Sequence, residues 1–155
     1  MSKKRIHPSI WLILLVLLTF PMSAQQGTLR EEGRSVGKVL ELAHAQHEIV
    51  MLFIKDGQFN KALEATEELL SLPFPPEQEQ NLIKSITLIT EQLFVKGRVD
   101  LSHQILEKAC RVIHSPANQG DLYLIQARLY KKQGLNYKAI EAYRKYQAMV
   151  GQQAK

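Results

Sequence analysis

The chain has one cysteine in 155 residues, so no disulfide can form within it. That excludes the small disulfide-stapled scaffolds of many exported proteins. Aromatic residues make up only 7%, and strict alternation of apolar and polar residues is missing, which argues against a sheet-built core. Glycine-rich phosphate loops are absent, as are a nucleophile-elbow glycine pattern and the two-histidine-plus-glutamate helix motif of zinc proteases. Nothing in the sequence therefore points to catalysis. The single thiol, Cys110, lies in "LEKACRVI", four residues after Leu106 and three before Ile113, and reads as a buried, inert group on an apolar helix face.

Acidic residues are also missing from the first 24 positions, which hold Lys3, Lys4 and Arg5. Behind them Ile10–Phe20 is an 11-residue run, apolar but for one threonine, closed by Pro21 and the small pair Ser23-Ala24. A positive start, a short apolar core and small residues at the end are the layout of an export signal. The run is about half the roughly 20 residues needed to span a bilayer as a helix. Residues 1–24 are read as a cleaved signal, with an uncleaved anchor to the inner membrane as the rival. Residues 25–35 follow as a flexible linker, 36–150 as one domain and 151–155 as a tail.

Three of the 20 basic residues and none of the 15 acidic ones fall in the leader, which leaves 17 against 15, a net charge of +2. The balance is uneven along the chain. Residues 25–107 carry 8 basic and 13 acidic side chains, whereas 108–155 carry 9 and 2. So small a net charge, in a chain read as exported, disfavours nucleic acid as partner; the basic end favours a ligand with acidic groups.

Helical spacing recurs throughout. Phe59, Ala62, Thr66 and Leu69 share a face, as do Leu82, Ile86, Ile89 and Leu93, then Tyr123, Ala127 and Tyr130, and finally Ala139, Tyr143 and Tyr146. The breaks are as regular. Gly57, Gly97 and Gly134 each end a helical run, where glycine enters the left-handed region without a Cβ penalty. Pro76 suits a first helical turn, Ser115 or Asn118 a cap, and Gly151 the close of the last helix. Six helices in three antiparallel pairs are expected.

The three glycines stand 40 and 37 residues apart, and five positions after each comes a small residue, Ala62, Ser102 or Ala139. "IKDGQFNKALEAT" and "KKQGLNYKAIEAY" are two versions of one phrase. Here the sequence resembles the tetratricopeptide repeat family, built from helix–turn–helix units of about 34 residues. Tyr123, Ala127, Tyr130, Gly134, Ala139 and Tyr143 fall on its aromatic, small and glycine positions. Val50, Phe53, Gly57, Phe59, Ala62 and Pro73 match less fully, and the middle unit keeps Leu93, Gly97, Ser102 and Ala109. Tyr146 departs from the pattern, where the family prefers alanine. The resemblance implies an all-α, right-handed stack of hairpins, an α-solenoid.

It also implies a concave groove lined by the first helix of each pair. Carried onto this chain, the lining is His47, Met51 and Lys55 in the first unit and Lys84 and Glu91 in the second. In the third it is Leu124, Arg128, Lys131 and Lys132. The expected role is a scaffold of the bacterial envelope or periplasm that binds a peptide or partner protein there. The alternatives are a membrane-anchored accessory subunit, or an exported enzyme whose residues converge only in space. His44, His47 and Glu48 are too few for a zinc site, which takes three or four ligands, so they read as an exposed helix face and no cofactor is expected.

Overall fold

Three glycines end three helices by one mechanism. In the computed structural model, which describes residues 23–153 and their side chains over 35–151, Gly57, Gly97 and Gly134 have φ of 73°, 76° and 74°. At each, the glycine N–H reaches back three residues: to Ile54 O at 3.2 Å, Phe94 O at 3.0 Å and Lys131 O at 3.0 Å. The next N–H, of Gln58, Arg98 or Leu135, reaches back five residues to Phe53 O, Leu93 O or Tyr130 O at 2.9, 2.8 and 3.0 Å. This paired closure satisfies carbonyls that a helix end would otherwise leave open. The following helix starts at once, its first bonds running from Ala62 N to Gln58 O, Ser102 N to Arg98 O and Ala139 N to Leu135 O.

The small residue five places after each glycine is thereby explained. It lies in the first turn of the second helix, on its buried side. Ala62 and Ser102 are fully buried and Ala139 nearly so. Ser102 fits because its hydroxyl donates to Thr90 O at 2.9 Å, which removes the cost of burying it.

The described residues are helical and contain no strand. In order come α1 (Ser23–Lys55), α2 (Phe59–Ser71), a single 3₁₀ turn (Pro76–Gln78), α3 (Glu79–Val95), α4 (Val99–Val112), α5 (Pro116–Lys132) and α6 (Asn136–Gln153). The chain divides into two compact units, Met1–Ser35 and Val36–Lys155. Of the first, only the backbone from Ser23 is described, and it is helical, so residues 25–35, expected as a linker, lie in α1. The basic start and apolar run of the expected signal lie outside the described residues.

Within Val36–Lys155, α1–α2, α3–α4 and α5–α6 are the glycine-turn pairs. Helix α3 touches α5, α4 touches α5, and α2 touches α4. One continuous core runs through them, with Val50, Ile54, Leu69, Leu82, Ile86, Ile89, Leu93, Ile105, Leu106, Leu122 and Leu129 at 2% exposure or less. Burying each such side chain contributes about 1.5–3 kcal/mol.

Three local expectations are corrected. Asn118 is no cap: Pro116 opens α5, Ser115 precedes it without a side-chain bond, and Asn118 is buried inside the helix. Gly151 does not close α6, which continues to Gln153. Helix α5 has two buried faces where the tyrosine spacing indicated one, because it is packed between neighbours. Asn118, Leu122 and Leu129 are buried along one stripe, Gly120 and Ala127 along another. Gly120 faces Met149 and Tyr146 of α6, at 3.5 and 3.6 Å from where a Cβ would stand, which is ordinary contact distance.

Candidate functional site

A cavity of about 510 Å³ opens between α3, α5 and α6. Thr87 and Glu91 come from α3, Ile125, Arg128, Leu129, Lys131 and Lys132 from α5, and Tyr143 from α6. Helical spacing assembles it. Residues 125, 128, 129 and 132 share one stripe of α5, and 87 and 91 are a turn apart on α3. Leu129 is buried and forms the floor, while Arg128, Lys131, Lys132 and Glu91 are exposed at the rim.

Four of the nine sequence-predicted residues therefore meet in one place: Glu91, Arg128, Lys131 and Lys132. The other five do not line it. Lys84 is exposed on the same α3 stripe as Glu91, about 10 Å farther back along the helix. Leu124 is half-buried one turn before Arg128. His47 and Met51 are half-buried on α1, and Lys55 is exposed at its end. Burial drives the His47 imidazole below its ordinary pKa, the Glu48 charge opposing this and His44 adding to it. Met51 packs on the core.

Thr87, Ile125 and Tyr143 were not foreseen as lining. Thr87 follows Lys84 and precedes Glu91 at helical spacing, so the stripe itself held that signal. Ile125 likewise shares the stripe of Arg128 and Lys132, whereas Tyr143 required the packing of α6 on α5.

The cations differ in their engagement. Lys132 Nζ lies 5.7 Å from the centre of the Phe94 ring. Among the described residues, no carboxylate is within ion-pair distance of Arg128, Lys131 or Lys132. A second cavity, of about 470 Å³ between α4, α5 and α6, is different. There Lys145 pairs with Glu141 at 3.5 Å and covers the Tyr123 ring, and Lys138 covers Tyr130. Cys110 also lines it, half-buried, and burial above all pushes its thiol up to about 11. At neutral pH that sulfur is a protonated, unreactive group.

A polar cluster that the sequence did not reveal lies where α3 meets α5. Glu79, 2% exposed, accepts from His114 N–H at 2.8 Å, Ser115 N–H at 3.1 Å and Asn118 Nδ2 at 2.9 Å, with His114 Nδ1 at 3.3 Å. Gln80 Nε2 donates to Asn118 Oδ1 at 2.5 Å and to Asp121 at 3.2 Å. Burial pushes the Glu79 carboxyl up, but these donors outweigh it and hold the group below the usual carboxylate range. The carboxylate also faces the N-terminus of α5, where its charge is favoured.

Among the described residues, no three His, Cys, Asp or Glu side chains converge as a metal site, and no helix is long and apolar enough to cross a membrane. Compared with protein-family models, curated proteins and solved structures, the chain matches none.

Proposed function

We propose that the chain is a binding scaffold, a stack of three helical hairpins of the tetratricopeptide kind, and that the α3–α5–α6 groove takes an extended acidic peptide or partner segment. The observation that carries this is the meeting of Arg128, Lys131 and Lys132 over an apolar floor with no carboxylate paired to them. An arginine fork can grip a carboxylate with two parallel bonds, and the lysines raise the local potential around it. Leu129 and Ile125 would receive an apolar side chain between the charged ones. The second cavity fits an anion less well, because two carboxylates, Glu107 and Glu141, line it and Glu141 already pairs with Lys145.

The stacked reading is supported by three copies of the glycine closure, by the small residue after each, and by the contact of α3 with α5, the first helices of the last two pairs. The same reading places the protein outside the cytoplasm, in the bacterial envelope, on the strength of its leader. Binding there would need no cofactor and no chemistry.

A peptide-display selection on the full chain tests this. Enriched sequences are expected to carry two or more carboxylates around an apolar residue. Changing Arg128, Lys131 and Lys132 together to glutamate should abolish capture without shifting the melting midpoint. Equal capture by that variant would remove the groove from the account.

A further inference from the structure

Helix α1 carries a second apolar stripe that none of the described helices covers. Leu42 and Leu52 are 58% and 56% exposed and Ile49 is 42% exposed, with Ala45 exposed between them. Positions 42, 45, 49 and 52 repeat at intervals of three and four, the spacing of a coiled-coil seam. Ala43, Val50 and Ile54, on another side of the same helix, are the ones buried in the core. The candidate groove residues His47, Met51 and Lys55 lie off the stripe, so this surface is separate from the proposed groove.

Charge continues the stripe at both ends. Lys38, one turn before Leu42, and Asp56, one turn after Leu52, fall on its centre line, and both are exposed. The bond from Asp56 N–H to Leu52 O, 3.0 Å, keeps Asp56 on the helical track. Neither charge is in an ion pair among the described residues. The stripe therefore reads cation, four apolar residues, anion. It is complementary to itself when turned end over end about residue 47: Lys38 meets Asp56, Leu42 meets Leu52, and Ala45 meets Ile49, each twice.

We propose that α1 is a homodimer interface, in which a second copy of the chain pairs antiparallel along this stripe under two-fold symmetry. A two-fold contact uses the same patch on both partners, and this pattern satisfies that demand without any other surface. The small Ala45 opposite Ile49 lets the helix axes come within about 8–10 Å. A single pair of helices lies at the small end of specific interfaces, below about 1,200 Å². The dimer is accordingly weak and reversible.

The test uses the full chain in mild detergent, so that its Ile10–Phe20 run does not aggregate it. Sedimentation should show a reversible dimer. Leu42→Glu and Leu52→Glu, at exposed positions, should each weaken it about tenfold or more, with helicity unchanged by circular dichroism. Lys38→Glu and Asp56→Lys should each weaken it, and the double variant should restore it. In a Cys110→Ala background, Leu42→Cys mixed with Leu52→Cys should form a disulfide between chains. Leu42→Cys alone should not, because its two copies would stand about 15 Å apart along the axis. A monomer at about 200 μM, well above a micromolar dissociation constant, would overturn the proposal. So would a dimer indifferent to the charge variants, or efficient cross-linking of position 42 to itself.

Discussion

The turns within the hairpins and the joints between them are made on different principles. Within a hairpin, all three turns use a glycine at positive φ, the same pair of backbone bonds and the same small residue five places on. Between hairpins no such uniformity exists. The first joint, residues 72–78, is a proline-rich passage with a 3₁₀ turn, its Phe74 half-buried against the core. The second is only residues 113–115, fastened by a carboxylate from 35 residues earlier in the chain. Closure of a pair is local, whereas the contact of one pair with the next depends on residues distant in sequence.

The most damaging change should therefore fall at the second joint. Glu79→Ala leaves two backbone N–H groups and Asn118 without their acceptor and should cost about 3 kcal/mol, measured by urea unfolding. Because the folded Glu79 carboxyl is held below its ordinary value of 4.5, its contribution is complete above that value and is lost as pH falls through the folded pKa. The difference between wild type and Glu79→Ala should thus shrink on acidification below about pH 4. A difference independent of pH would mean that the joint is held by packing alone.

The turns come next. Gly97→Val places a β-branched side chain at φ 76° and should cost about 2 kcal/mol, with an equal loss for Gly134→Val at φ 74°. Unequal losses would show that these two turns, alike in geometry, bear different loads. A smaller effect is expected of Ala139→Leu, about 1.5 kcal/mol, because it overpacks one hairpin without touching a joint. An unchanged melting midpoint would mean that α6 can slide away from α5. Last is Lys108→Ala, which removes the half-exposed Lys108–Glu67 pair between α4 and α2 and should cost under about 1 kcal/mol. A larger loss would make that surface contact a third fastening.

This division also explains what could be read from the sequence. The six helices, the glycine turns and the close-packed small residues are written locally, by period and by punctuation. Arg128, Lys131 and Lys132 could be placed on one helix face for the same reason. Asn118 looked like a cap, because no local pattern marks its bond to Glu79. The two faces of α5 were likewise hidden, since burial on a second side depends on how α6 packs. His47, Met51 and Lys55 were assigned to the groove by register alone, and the α3–α5–α6 cavity does not include them.

Amide shift mapping by NMR tests the groove most directly. The isotope-labelled chain would be titrated with an acidic peptide taken from the display selection. Perturbations are expected to cluster on α3 around Thr87 and Glu91, on α5 from Ile125 to Lys132, and at Tyr143, and to fade as salt screens the charges. Shifts confined to α1, or to the Tyr123–Lys145 side of α5, would contradict it.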